Sequence, residues 1–441
     1  MAAQILPLPS VKAPCDPFGH YVRLGDGGHR QLADLHAGGR FSPKRAVVDA
    51  SRLHHQKELV EALRASGTQI VLDTKAAELS AERRFAGLAA GAPWSKSGNG
   101  RPLTPGHFAQ GSREDVIGQI ARFAVEHQIH TVLSPGHYLR EGTKSRWFAV
   151  DRDACIALRA ALDRVGGRHI SIDYELIMPH VSLNDVDERG HIVETLKDLP
   201  FDNLWLRASG FGSDARPLTS RRYINSLLAM HNLGKPIVAD YLGGLVGLAA
   251  VYFGAISGFA EGVGERERFD AREWHKPPKV HEEDEEFGRV TRIAISGFGR
   301  SVTVSELKQL HDAKGGRRLV ACADRNCCLH GFPDMLANPK RHGLYQRTLQ
   351  IREIEKIPNL NRAQHFLEGE MARADRLARQ IKDLNLTDEN LASRMRAHGD
   401  RMEKLRSTLE HFHEVRGNDG PRALPVVERK AAQDRRGHVS S

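Results

Sequence analysis

The chain has 441 residues and a formal net charge of +9, a length that accommodates one large domain with an appendage. The basic balance makes nucleic acid a candidate partner. Met1 to Val11 lacks a basic start, and no run approaches the roughly 20 apolar residues of a membrane span, so a cytoplasmic protein without a membrane partner is expected.

Residues 1–44 read as an N-terminal extension and 45–325 as a βα barrel of the TIM type. From Arg45 onward, short β-branched runs alternate with amphipathic helical patterns, which is how parallel strands joined by helical crossovers look. The first strand is expected at Ala46 to Asp49, with a helix over His54 to Ala65, and the second at Ile70 to Asp73. The segment Thr74 to Ser112 is too long for an ordinary connection, so it reads either as a lid over the barrel mouth or as a strap around its side.

Further strands are expected at Thr131 to Ser134, Ile170 to Asp173, Leu204 to Arg207, Pro236 to Asp240 and Ala255 to Phe259. The charged run His281 to Glu286 reads as solvated loop. The eighth strand falls at Arg292 to Ser296 or Leu319 to Cys322, and a strand at Tyr21 to Leu24 would shift the count by one. A Cys/His segment spans 322–360, a helical appendage 361–416, and 417–441 reads as a disordered tail.

In such a barrel the side chains at the carboxyl ends of the strands converge on one mouth. That rule selects Asp49, Asp73, Lys75, His137, Asp173, Glu175, Arg207 and Asp240 as candidate catalytic residues. Clustered carboxylates raise one another's pKa, bind cations or pair with Lys75 and Arg207, although a single Asp also serves as a helix cap. Gly243 and Gly244 ahead of a helix, with Ser257, Gly258 and Arg266, form a candidate phosphate site; glycine at tight turns is the alternative reason for them.

Five cysteines in a chain this long do not make a disulfide scaffold, yet three of them fall in Cys322-Ala-Asp-Arg-Asn-Cys327-Cys328-Leu-His330, with His342 beyond. Cys322, Cys327, Cys328, His330 and His342 are therefore candidate zinc ligands, four at most, with buried thiols beside a surface histidine as the alternative.

The order of parts resembles the tRNA-guanine transglycosylase superfamily: a barrel, then the Cys322 to His342 cluster, then the Arg347-containing helix. The family's Asp-Ser-Gly-Gly-Phe and Cys-x-Cys-x-x-Cys motifs are absent, so no catalytic residue transfers by position. The resemblance implies base exchange, with two acids among Asp49, Asp73, Asp173 and Asp240 as nucleophile and proton carrier. An enzyme modifying nucleic acid or a nucleotide is the leading expectation. Its rivals are a lyase, aldolase or hydrolase acting on a phosphorylated small molecule, with Lys75 as a Schiff-base or proton-transfer residue, and a non-catalytic scaffold that binds a partner through its C-terminal helices.

Overall fold

The computed structural model describes residues 18–25, 28–82, 88–110, 115–263, 267–276, 291–417, 422–427 and 429. Eight parallel strands close into a barrel: β1 (Gly19–Arg23), β2 (Arg45–Asp49), β3 (Gln69–Asp73), β4 (Thr131–Leu133), β5 (Ser171–Pro179), β6 (Asn203–Ser209), β7 (Ile237–Asp240) and β8 (Gly258–Gly262). Closure pairs β1 with β8, from Gly19 opposite Gly258 to Arg23 opposite Gly262. Helices at Lys57–Ala65, Val116–Glu126, Arg146–Arg164, Val186–Leu196, Pro217–Ala229 and Gly244–Tyr252 cover the outside.

The barrel strands thus begin ahead of residue 45, inside the expected N-terminal extension. Neither expected eighth strand belongs to the barrel. Arg292–Ala294 pairs antiparallel with Ser301–Thr303 in a separate hairpin, and Arg317–Val320 is helical. The strand expected at Ala255 to Phe259 lies about one turn further along, because Ala255 and Ile256 still close the preceding helix through bonds to the carbonyl of Ala250. His281 to Glu286 lies outside the described residues.

Period-two alternation sorts the barrel interior into layers. Tyr21, Val47, Val71, Leu133, Trp205, Val238 and Ala260 form an apolar ring. Two residues further along the same strands come Arg23, Asp49, Asp73, Arg207 and Asp240, so one step of the pleat turns an apolar ring into an ionic one.

The segment 74–112 begins at the mouth, with Lys75 and Glu78, and then packs along the barrel as a strap around Trp94. Trp94 is fully buried, stands edge-on to Phe123 of the helix Val116–Glu126, and donates its indole N–H to the carbonyl of Thr74 at 3.0 Å. Burying that ring contributes about 2 kcal/mol or more, which holds the strap against the barrel's outer layer.

The C-terminal region is helical. In Glu389–Arg416 the buried positions Leu391, Met395, His398, Met402, Leu405 and Leu409 recur at three- and four-residue spacing and lay one stripe inward. Asp388 caps the helix, accepting from the backbone N–H groups of Asn390 at 2.9 Å and Leu391 at 3.0 Å.

The tail expected to be disordered is ordered in its described part, because it finds partners under the barrel. Val426 packs on the apolar ring from below, and Asn203 makes a two-way pair with Val427, its amide donating at 3.1 Å and accepting at 2.8 Å. Arg429 reaches both oxygens of Asp202 at 3.0 Å. These contacts lie at the amino ends of β5 and β6, so the chain's own tail seals the floor.

Candidate active site and candidate metal centre

Two buried arginines organise the mouth. Arg23 donates to Asp240 at 2.7 Å, Asp49 at 3.0 Å and Asp73 at 2.5 Å; Arg207 donates to Asp73 at 2.6 Å and Asp240 at 2.7 Å and abuts Glu175. Tyr241 lies against both guanidinium groups, 4.4 Å and 5.5 Å from its ring centre. Lys75 contacts Glu78 and reaches Asp49 at 3.5 Å. Its backbone is left-handed, φ 58°, a conformation that strains a residue with a Cβ and is held here by a bond from its N–H to Asp73 at 3.0 Å.

Asp49, Asp73, Lys75, Glu175, Arg207 and Asp240 are therefore brought together as expected. Asp173 is not. Its strand continues to Pro179, so Asp173 lies near the floor, where it accepts from Asn203 at 2.7 Å. Burial pushes its carboxyl up to about 8, against the pull of that hydrogen bond.

Protonation is uneven around the mouth. Burial pushes Glu175 well above the usual carboxylate range, and Arg207 only partly opposes it because Asp73, Glu78 and Asp240 add negative charge nearby. Asp73 is equally buried, but Arg207, Lys75 and Arg23 outweigh the burial and hold it well below that range. Burial also raises Asp49, whose side chain at 16% exposure is the most accessible of the arginine-bound carboxylates. Lys75 is raised well above its ordinary value: Asp49, Glu78 and Asp73 together overcome the effect of burial. An ammonium held that firmly is a fixed cation, which opposes the Schiff-base role.

His137 sits at the rim between β3 and β4. Its Nδ1 lies 2.5 Å from Asp151 and its Nε2 3.0 Å from Ser80, with Trp147 stacked on the ring at 3.8 Å.

The expected phosphate site is split. Ser257 and Gly258 lie at the floor, where the Ser257 hydroxyl accepts from the Ile237 N–H at 3.0 Å and Gly258 meets the Gly19 backbone. Gly243 and Gly244 lie beyond the carboxyl end of β7, but a Cβ on Gly243 would stand 2.4 Å from Glu261 and 2.5 Å from Glu267. A phosphate at Gly243 would face two carboxyl groups. Arg266 lies outside the described residues.

Basic groups gather instead in a cavity of about 1510 Å³ beside β1 and β8, lined by eleven arginines against six carboxylates. It reaches Ser213, Gly244 and Glu267, on the loops that follow β6, β7 and β8. Burial lowers Arg300 and Arg401 below their ordinary values, and like-charge neighbours lower them further, Arg394 and Arg292 acting on Arg300 and Arg300 on Arg401. At the inner wall Arg347 joins Glu261 at 2.8 Å and Glu267 at 3.2 Å. Burial and the adjacent Glu261 push Glu267 up to about 8, whereas Arg347 and His20 overcome burial to hold Glu261 at about 2.

The helix that carries Arg347, Pro339–Ile354, also carries His342, and His342 meets three thiols. The ligand atoms of Cys322, Cys327, Cys328 and His342 lie within 4.8 Å of one another, all buried. Sulfur atoms of Cys327 and Cys328 are 3.7 Å apart, and the His342 Nδ1 is 3.2 Å and 3.5 Å from them. A tetrahedral zinc with bonds of about 2.3 Å to sulfur and 2.0 Å to nitrogen needs edges of roughly 3.8 Å and 3.5 Å. His342 donates from Nε2 to the carbonyl of Ala294 at 3.0 Å, which turns the Nδ1 lone pair toward the thiols. The donor set fits a metal such as zinc. His330 is exposed and outside the cluster, and the two adjacent cysteines both take part.

Sequence reasoning missed Arg23, Glu78, Ser80, Tyr241, Asp151, Glu261 and Glu267. For Arg23 a signal existed: the short run Tyr21-Val22-Arg23 ends in a charge, as the other mouth strands do.

No protein-family model and no curated protein matches this chain. Among solved structures it is similar to an endo-1,4-beta-xylanase of Penicillium canescens, with a TM-score of 0.38 and 10% identity over 55% of this chain and 82% of that one. It is also similar to a structure from Coccidioides immitis described as a fructose-1,6-biphosphate aldolase, with a TM-score of 0.31 and 12% identity over 56% of this chain and 74% of that one. These likenesses extend to the barrel architecture alone. Nothing among them singles out the tRNA-guanine transglycosylase superfamily. No helix among the described residues is long and apolar enough to cross a membrane.

Proposed function

We propose that this chain is a barrel enzyme performing general acid–base chemistry on a phosphate-bearing substrate, which reacts at the mouth while its phosphate groups rest against the arginines of the flanking cavity. The observation that carries this reading is the mouth itself, where Asp49, Asp73, Glu175 and Asp240 share Arg23 and Arg207, with burial pushing Glu175 up and three neighbouring cations holding Asp73 down. Asp49, raised and accessible, transfers the proton. Lys75 beside it is a fixed charge that steadies negative charge developing on the substrate. Arg23, Arg207, Asp73 and Asp240 are the framework that holds these groups in place.

The cavity has room for a sugar phosphate or for a larger phosphate carrier such as a nucleotide. Small-ligand pockets run to about 300–1,000 Å³, and this one is larger at about 1510 Å³. In the base-exchange version, Asp49 is the acid with access to a sugar carbon, and Asp173 at the floor has no part.

Binding of sugar phosphates, nucleoside phosphates, single-stranded RNA and DNA, measured at low and high salt, sorts these substrates; nucleic acid requires an affinity that falls steeply with salt. With the bound substrate, Asp49→Asn lowers turnover by about 10²-fold or more and leaves binding within a few fold. Undiminished turnover in a folded Asp49→Asn protein would end the acid–base reading.

We assign zinc to Cys322, Cys327, Cys328 and His342. Four protein ligands leave no open coordination position, so the metal's part is to pin the helix Pro339–Ile354, and Arg347 with it, against the barrel wall. Elemental analysis should return one zinc per chain, lost in Cys327→Ser.

A further inference from the structure

A second set of catalytic groups lies outside the ionic mouth, at the rim between β3 and β4. Ser80 ends the short helix Ala76–Leu79 that follows β3, and His137 lies in the loop after β4. The Ser80 hydroxyl is 3.0 Å from Nε2 of His137. On the other side of the ring, Nδ1 is 2.5 Å from one oxygen of Asp151, while the second oxygen accepts the backbone N–H of His137 at 3.0 Å.

Asp151 therefore grips His137 at two points, fixes the tautomer with its proton on Nδ1, and leaves the Nε2 lone pair facing a hydroxyl. Two rings fix the imidazole plane: Trp147 stacks on it at 3.8 Å and 11°, and Phe108 meets it edge-on at 4.8 Å. His137 and Asp151 are nearly inaccessible at 2% and 1%, whereas Ser80 is only half-buried. The outermost member of the chain is thus the nucleophilic atom, and the innermost is the carboxylate.

A structural histidine needs one good hydrogen bond at each nitrogen and no particular partner at the exposed end. Here the exposed partner is a serine, set two residues beyond the Lys75–Glu78 ion pair and next to the mouth. Gly136, directly before His137, backs onto Glu175, where a Cβ would stand 2.6 Å from the Glu175 carbonyl oxygen.

We propose that Ser80, His137 and Asp151 form an acyl-transfer relay that accepts carboxylic esters or thioesters. Ser80 and His137 are its catalytic residues, and Asp151 is a positioning residue. The Ser80 oxygen bonds to the acyl carbon, the carbonyl electron pair moves onto oxygen, and the hydroxyl proton passes to Nε2 of His137. As the carbonyl re-forms, the bond to the leaving alkoxide or thiolate breaks and His137 returns the proton to it. Water repeats the sequence and frees the acid.

The test is covalent capture by a fluorophosphonate probe on the full-length protein, read by intact mass and by peptide mapping. One adduct per chain on Ser80 is expected. It should be absent in Ser80→Ala and slowed by about 10³-fold in His137→Gln. In Asp151→Asn the maximal labelling rate should fall while the probe concentration for half-maximal rate stays unchanged, a split that a role confined to packing would not produce. Circular dichroism and melting of Ser80→Ala, the least disruptive variant, establish that loss of labelling is not loss of fold. A folded wild-type protein without a Ser80 adduct overturns the proposal, as does a Ser80 adduct that forms equally fast in His137→Gln.

Discussion

The two ends of the barrel handle buried polarity in opposite ways. At the mouth, Arg23 and Arg207 pair directly with buried carboxylates, and Asp49, the most accessible of these, lies beside Lys75. At the floor, Asp173 carries its proton, Asn203 completes its hydrogen bonds with the chain's own backbone, and Val426 closes the opening. The mouth holds a buried network of carboxylates and guanidinium groups, whereas the floor buries a lone carboxyl and keeps its ion pair, Arg429 with Asp202, at the edge. Stability is the cost at one end and the purpose at the other.

Breaking the mouth gives the largest effect. Arg207→Met leaves Asp73, Asp240 and Glu175 without their common partner in a dry site, and the loss of one side of a buried ionic network costs about 3–5 kcal/mol. Urea unfolding measures this, and a loss below about 1 kcal/mol would mean that water already reaches these groups.

Removing the floor comes next. A chain ending at Gly417 loses the Asn203 pair, the Val426 contact and the Arg429 bridge, and should unfold about 2 kcal/mol more easily while the mouth keeps its geometry. Equal melting temperatures for the two chains would show that the tail merely rests against the barrel.

Asp173→Asn sharpens the comparison by the smallest step. The folded carboxyl, at about 8, holds a proton that the unfolded chain releases near 4, so wild-type stability falls as pH rises between those values. The asparagine variant lacks that slope, and its advantage should grow by about 1 kcal/mol for each pH unit between 6 and 7. Parallel stability curves for the two proteins would place the ionised carboxylate at the floor after all.

Much of the architecture is legible in the sequence because parallel strands covered on both faces read as β-branched runs; Val47-Val48, Ile70-Val71-Leu72 and Ile237-Val238 are such runs, each followed closely by the charge that marks the mouth. The closing strands escape that rule. Gly19-His20-Tyr21-Val22-Arg23 and Gly258-Phe259-Ala260-Glu261-Gly262 put the polar His20 and Glu261 on their outer faces, because what covers them is an arginine-lined cavity rather than an ordinary helix. Asp173 was misplaced for a related reason: Glu175 interrupts an apolar strand and imitates its end, although the strand runs on through Leu176, Ile177 and Met178.

At the metal cluster the residue types were legible, and the choice among them was not. His342 enters from a helix packed on the hairpin at Arg292–Ala294, and no spacing rule reveals that approach. The pairing of Ser80 with His137 and Asp151 depends likewise on two successive crossovers, the one before β4 and the one after it.

The floor seal also imposes an order on assembly. Asn203 and Val427 are separated by 224 positions, so the barrel strands leave the ribosome long before the segment that closes them from below. Until it arrives, the packed ring around Tyr21 and Trp205 lacks the contact of Val426. The floor contacts are therefore added after the strands they cover have been synthesised.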